Sequence, residues 1–114
     1  MRSKVGIATV SLVGLLSACG SSYDGTVELT AGVSDVIAVS NCSKESYQVK
    51  CTFKNLSAGS LDSYRAGIRI RCYAKDGVAV DFASGGYTLQ DIDGGGSVRE
   101  GVCPDTARRI VIRG

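Results

Sequence analysis

The sequence contains no histidine, and this absence excludes the common Ser-His and Cys-His catalytic arrangements. The Gly-x-Ser-x-Gly motif of the α/β-hydrolases is also missing. Hydrolysis would therefore need a pair of carboxylates or a serine with a lysine base, and no recognisable motif places a base beside any serine of this chain. We expect that the protein is not an enzyme and that it binds no cofactor.

The chain also lacks an apolar run long enough to span a bilayer. Its N-terminal apolar stretch, residues 5–16, is interrupted only by Gly, Ser and Thr and has the length of the apolar core of a signal peptide. Arg2 and Lys4 supply the basic start that such peptides have. The segment therefore predicts export and is left out of the fold prediction.

The stretch ends in Leu16-Ser17-Ala18-Cys19, which resembles the lipobox of bacterial lipoproteins. The resemblance implies that the Cys19 thiol carries a diacylglyceryl group, that cleavage occurs before it, and that its new amino group receives an acyl chain such as palmitate. Residues 1–18 are then a signal peptide, residues 19–25 the lipidated cysteine and a short tether, and residues 26–114 the folded domain. The alternative is an ordinary secretory signal in which the cysteine is incidental.

The residue after the cysteine bears on the location. Gly20 stands where inner-membrane lipoproteins of enterobacteria have Asp. The resemblance therefore favours the bacterial cell envelope, with the lipid anchor in the periplasmic face of the outer membrane.

No excess charge remains after cleavage. The full chain has 13 Lys and Arg against 11 Asp and Glu, and the two extra basic residues are Arg2 and Lys4. A balanced chain has no net charge to attract nucleic acid. We therefore expect membrane contact through the lipid anchor and no nucleic-acid partner.

Four cysteines follow Cys19, and they are Cys42, Cys51, Cys72 and Cys103. An even number in an exported chain predicts two disulfides. A zinc site is the alternative, but the spacings lack close cysteine pairs, so we predict no metal. Of the three possible connectivities we favour Cys42–Cys51, which closes a short loop, and Cys72–Cys103, which can link neighbouring strands.

Asp91 and Asp93 are candidate ligands for a calcium ion. They lie in Asp-Ile-Asp-Gly-Gly-Gly, which could begin a calcium loop, because calcium prefers clustered carboxylate oxygens. The later ligands of the EF-hand spacing are missing. We interpret the segment as a polar loop.

Glycine and serine separate short runs with period-two alternation, and no stretch after Cys19 has a helical stripe. The pattern predicts an all-β domain, a small immunoglobulin-like antiparallel β-sandwich of about seven short strands. Asp76-Gly77 predicts a tight hairpin, and the last strand is expected to lie beside residues 67–74. The predicted strands are residues 26–30, 35–40, 47–54, 67–74, 78–82, 97–103 and 108–113.

Three motifs of the central chain carry a family resemblance: Asn55-Leu56-Ser57, the run from Ile70 to Gly77, and the run from Asp91 to Gly95. Together they resemble an FxLYD-type domain over roughly residues 47–112. Tyr73 and Gly77 match the family pattern, and the departures are Ile70, Cys72 and Ala74 at positions where the family has Phe, Leu and Asp. The resemblance implies a small bacterial β-sandwich that serves as an accessory module, and it implies no specific activity.

Arginines are the candidate binding residues. Arg69 and Arg71 share one face of a predicted strand, while Arg109 and Arg113 share one face of the last strand. Side by side, they would form a basic strip for an acidic partner, such as an envelope protein, peptidoglycan or lipopolysaccharide phosphates. The alternative is a solvated strand surface whose charges prevent sheets from pairing at their edges.

These interpretations predict a lipid-anchored accessory protein of the envelope that acts by binding a protein or glycan, or by structural support. The alternative function is a small inhibitor or exclusion lipoprotein that blocks a hydrolase, such as lysozyme, or a phage receptor. An inhibitor should present a protruding loop, and residues 84–96 are the candidate.

Overall fold

The computed structural model describes residues 7–11, 21–82 and 85–114. Cys19 and most of the predicted signal peptide lie outside the described residues. The described part contains eight strands and one short helix: β1 (Ile7–Ser11), β2 (Ser21–Ser22), β3 (Thr26–Thr30), β4 (Ile37–Glu45), β5 (Gln48–Asn55), α1 (Ser63–Ala66), β6 (Arg69–Tyr73), β7 (Ser97–Pro104) and β8 (Arg109–Arg113). No helix among these residues is long and apolar enough to cross a membrane.

The strands form two four-stranded sheets. The first sheet has the order β1-β3-β8-β6, and the second has the order β2-β4-β5-β7. Their inner faces pack together around one core, so the predicted all-β sandwich is confirmed. One pairing differs from the predicted antiparallel arrangement, because β3 and β8 run parallel.

The core follows from the alternation along the strands. On β5, Val49, Cys51 and Phe53 point inward, and the residues between them are more exposed, as period-two geometry requires. The same alternation buries two residues each on β6 and β8, which are Ile70, Cys72, Ile110 and Ile112.

The chain from residue 74 to residue 82 differs from the predicted hairpin. A turn forms at residues 75–77, where Gly77 has a φ of 88° and donates its N–H to the Ala74 carbonyl at 2.9 Å. The predicted return strand is reduced to an isolated bridge between Ala79 and Tyr73. Regular pairing stops because the Asp81 carboxylate accepts the N–H of Cys72 at 2.8 Å and so replaces a backbone partner.

Two disulfides are present, in the pairing favoured from the sequence. Cys42 and Cys51 join the adjacent strands β4 and β5, with their Cα atoms 4.0 Å apart. Cys72 and Cys103 are 5.8 Å apart by Cα, and they join β6 of the first sheet to β7 of the second. The expectation that this second link would connect neighbouring strands is wrong, because it crosses the core between the sheets.

The folded region begins earlier than the predicted boundary at residue 26. Ser21 and Ser22 pair with β4, and the side chain of Tyr23 is fully buried in the core. The N–H of Tyr23 also donates to the Cys42 carbonyl at 3.2 Å. Residues 21–25, the described part of the predicted tether of residues 19–25, therefore belong to the folded domain.

The sandwich has two distinct ends. The hairpin end carries the turn between β4 and β5, the turn at residues 75–77, and the connection at residues 105–108 that joins β7 to β8. The distal end carries α1, the start of β6 and the end of β8, because β6 and β8 are antiparallel.

Candidate functional site

The four predicted arginines lie on neighbouring strands of the first sheet. Arg69 is the cross-strand neighbour of Arg113, and Tyr73 is the neighbour of Arg109, with Arg71 between them opposite a valine. Cross-strand neighbours and alternate residues share one face of a sheet. The inward face belongs to the buried isoleucines, so the arginines occupy the outer face.

Arg71 is neutralised within the domain. Its Nη2 lies 3.0 Å from Oδ2 of Asp81, and its Nε donates to the same oxygen at 3.1 Å. The Asp81 side chain is only 8% exposed. This hydrogen bond raises the pKa of the Arg71 guanidinium above its ordinary value. The ion pair of Arg71 with Asp81 therefore holds the segment after the 75–77 turn against β6.

Arg109 is neutralised in the same way by a neighbouring strand. Its Nε and Nη2 donate to the two carboxylate oxygens of Glu28 on β3, at 2.8 and 3.2 Å. The paired carboxylate raises the pKa of Arg109. Two guanidinium carbons also approach the ring of Tyr73, that of Arg71 at 5.9 Å and that of Arg109 at 5.4 Å from the centroid. In this half of the predicted strip, both arginines are therefore paired with carboxylates of the domain.

Arg69 and Arg113 form no salt bridge within the described residues. The guanidinium carbon of Arg69 lies 5.7 Å from the ring centroid of Tyr64. Tyr64 is on α1, and its side chain is exposed. Nη1 of Arg69 is buried and has no hydrogen-bond partner in the described part of the chain. We call these three residues, Tyr64, Arg69 and Arg113, the distal patch.

The short helix α1 places Tyr64 in the patch. Its N-cap is Asp62, whose carboxylate accepts the N–H of Arg65 at 3.1 Å, and Gly67 ends it in the left-handed region with a φ of 73°. The sequence pattern predicts no helix here, since four helical residues are too few to produce a periodic stripe. The capping signals of Asp62 and Gly67 could have identified the helix and its exposed tyrosine.

The segment of residues 85–96 is packed against the domain and does not protrude. Tyr87 pairs with Ile70 of β6, and Leu89 and Ile92 are buried. Glu100 holds the segment from the second sheet, because its carboxylate accepts the Tyr87 hydroxyl at 2.5 Å. Residue 84 of the predicted inhibitory loop lies outside the described residues.

Asp91 and Asp93 have no metal-binding arrangement around them in the structure. The described residues contain no group of three or more Cys, Asp or Glu side chains that could hold an ion. The buried amide of Asn55 ties this loop to the loop after β5, because its Nδ2 donates to the Ile92 carbonyl at 2.9 Å and to the Gly59 carbonyl at 2.8 Å.

A second polar network lies on the outer face of the second sheet, and alternation along the strands does not predict it. Arg99 donates to the Asn41 carbonyl at 2.7 Å, to the Ser43 hydroxyl at 2.8 Å and to the Glu45 carboxylate at 2.7 Å. The hydrogen bonds from Ser43 and Arg99 lower the pKa of Glu45. Since its charges are matched, this network offers less to a partner than the distal patch does.

Comparison of the chain with models of known protein families, with curated proteins and with solved structures gave no match. The functional interpretation therefore rests on the residues themselves.

Proposed function

We propose that the protein is a lipid-anchored accessory protein of the bacterial envelope that docks an acidic envelope component through the distal patch. The lipobox at Leu16–Cys19 supports the anchor. The lipid would hold the domain at the periplasmic face of the outer membrane, with no membrane-spanning segment required.

The observation that carries the docking proposal is the contrast within the predicted arginine strip. Arg71 and Arg109 have carboxylate partners at 3.0 and 2.8 Å, whereas Arg69 and Arg113 have none in the described chain. A guanidinium without an internal partner is available for bidentate hydrogen bonds to a carboxylate or phosphate.

The chemistry of the patch suits an interface. Tyrosine and arginine are enriched among the residues that contribute most to binding energy, because they combine a large apolar surface with directional donors. Tyr64 is 72% exposed and stacks near Arg69, so both would be covered together. The partner is a protein or glycan that presents carboxylates or phosphates.

The test is chemical cross-linking in cells followed by copurification and identification of partners. We expect Arg69→Ala with Arg113→Ala to abolish capture of the partner that the unmodified protein captures. The matched control is Arg71→Ala with Arg109→Ala, which removes the same charge from the same sheet face and should retain capture. Equal loss in both variants, or full capture by the first, would move the binding site away from the distal patch.

The anchor is tested separately by Cys19→Ser. The thioether depends on that sulfur, so the variant should lose its acyl mass and remain unprocessed or leave the membrane fraction. Retention in the membrane fraction with the processed mass would show that the lipoprotein assignment is wrong.

A further inference from the structure

The turn between β4 and β5 holds an exposed tyrosine in an unfavourable backbone conformation. Glu45 pairs with Gln48, so Ser46 and Tyr47 alone make the turn, and their φ angles are 52° and 67°. Two positive φ values in a two-residue hairpin are the pattern of a type I′ turn, which strongly favours Asn-Gly. A bulky residue with positive φ is uncommon and costs conformational energy.

The domain gains no packing from this tyrosine. Tyr47 is 88% exposed, and only its backbone is used, where its carbonyl accepts the N–H of Asp105 at 3.1 Å. Any residue could provide that carbonyl. Strained positions concentrate at functional sites, and an aromatic ring with no internal contact is suited to a surface outside the domain.

The direction of β2 indicates that the surface facing Tyr47 is the membrane that holds the lipid anchor. Ser22 pairs with Ser43 and Ser21 pairs with Lys44, so the chain traced backwards from Ser21 runs toward the turn at residues 46–47. Cys19 precedes Ser21 by two residues, and two residues span at most about 7 Å. A lipid on Cys19 would therefore enter the membrane next to Tyr47.

We propose that the ring of Tyr47 lies in the membrane interface beside the acyl chains and acts as a second contact that sets the orientation of the domain. The inference rests on the lipid anchor of the proposed function. Tyrosine suits the headgroup region because its ring is apolar and its hydroxyl can remain hydrated.

The two charged residues that precede the turn, Lys44 and Glu45, are paired within the domain. Lys44 lies 3.5 Å from Asp24, and Glu45 lies 2.7 Å from Arg99. Glu45 therefore presents no unpaired carboxylate to an anionic lipid surface. Asp105, which donates its N–H to the Tyr47 carbonyl, is a nearby carboxylate without an ion pair in the described part of the chain. With the hairpin end on the membrane, the distal patch at the other end of the sandwich points away from it.

The test uses the absence of tryptophan from the chain. In Tyr47→Trp, the new indole is the only one, and its emission reports on the turn. Tyr64→Trp is the matched control, since it replaces an exposed tyrosine at the distal end. Each full chain is expressed with its signal peptide, purified, checked for acyl groups by mass spectrometry, and reconstituted into vesicles of phosphatidylethanolamine and phosphatidylglycerol with or without brominated acyl chains.

We expect the Tyr47→Trp emission to shift to shorter wavelength, to be quenched by the brominated lipid, and to be protected from acrylamide. The Tyr64→Trp emission should stay at long wavelength and be quenched by acrylamide alone. Acylated protein that gives the same response at both positions would overturn the membrane contact and leave the anchor intact. Protein without acyl groups would overturn both.

A change in the Tyr47→Trp emission that depends on protein concentration, with no response to brominated lipid, would assign the turn to a contact between two copies of the chain. That result would also overturn the membrane contact. A thermal melt of each variant beside the unmodified protein verifies that the fold is retained before either spectrum is interpreted.

Discussion

Arg69 on β6 and Arg113 on β8 are direct cross-strand neighbours, so two guanidinium groups occupy opposing positions on the outer face of the first sheet. Like charges placed directly opposite each other destabilise a sheet. The juxtaposition of these two charges therefore adds no stability, in contrast to the Arg109–Glu28 ion pair at the other end of β8, and this difference can be measured.

Arg113→Ala should leave the free energy of unfolding unchanged or raise it by up to about 0.5 kcal/mol, because it removes a repulsion at an exposed position. Arg109→Ala should lower it by about 0.5–1 kcal/mol, because it removes the bidentate pair with Glu28. Urea denaturation of both variants checks this expectation. Equal destabilisation would mean that the two arginines have the same structural role.

Replacing Tyr47 by glycine should stabilise the domain by roughly 0.5–1 kcal/mol, because glycine adopts the φ of 67° without steric cost. The same substitution at Tyr64 should destabilise it by about 1 kcal/mol, since glycine is a poor helix former. Both tyrosine side chains are exposed, so neither substitution removes buried packing. Opposite changes in the free energy of unfolding would therefore reflect the backbone conformations of the two positions. Thermal unfolding of the two variants measures it, and a loss of stability in Tyr47→Gly would contradict the strained turn.

Loss of the Cys72–Cys103 disulfide should cost more than loss of Cys42–Cys51, because the two bonds close chain segments of 31 and 9 residues. The chain-entropy relation gives a difference of about 1 kcal/mol, within a total of about 2–5 kcal/mol for each bond. Paired Cys→Ala variants, unfolded in urea under non-reducing conditions, provide the comparison. A larger cost for the shorter loop would show that local strand pairing outweighs the constraint on the unfolded chain.

Asn55→Ala should destabilise the domain by roughly 2–4 kcal/mol, because it removes the hydrogen bonds that a fully buried amide makes to the Gly59 and Ile92 carbonyls and so weakens the link between two loops. Ser57→Ala is the control, since its hydroxyl is near the surface and bonds only to the same loop. Amide hydrogen exchange should show lost protection at Gly95, whose N–H donates to the Asn55 carbonyl. Unchanged protection there would refute the role of Asn55 as a link between the loops.

Stability in alkali should depend on Tyr87. Burial and the hydrogen bond to Glu100 raise its pKa from 10.0 to about 12. The folded state therefore binds the phenolic proton more tightly than the unfolded state does. This contribution is complete below about pH 10 and is lost as pH rises through about 12.

Tyr87→Phe should flatten the decline in stability between pH 10 and 12, and Tyr64→Phe should not. Burial also raises the pKa of Tyr23, so a residual slope is expected in both variants. Unfolding midpoints measured across this pH range give the two slopes. If Tyr87→Phe kept the full slope, the hydroxyl of Tyr87 would not contribute.

Period-two alternation was sufficient to predict β3, β5, β6, β7 and β8 within two residues at each end. It failed at residues 78–82, where Asp81 uses its carboxylate in place of backbone pairing. Alternation also says nothing about which strands are neighbours, and the parallel pairing of β3 with β8 joins two segments that are far apart in the sequence.

The candidate site was predictable only in part, for a related reason. Alternation places Arg69 and Arg71 on one face, but it does not show which arginine is neutralised. The partners come from 10 residues away for Arg71 and from 81 residues away for Arg109. The difference between the free and the paired guanidinium groups appears only once the chain is folded.

The position of β8 has a consequence for the order in which the strands can pair. This strand is the last in the chain, yet it lies between β3 and β6 in the middle of the first sheet. Until residues 109–113 are available, β3 can pair only with β1, and β6 has no partner among the named strands. The first sheet is therefore completed only when this strand is present, whereas the β4–β5 hairpin with its own disulfide can form from an earlier part of the chain.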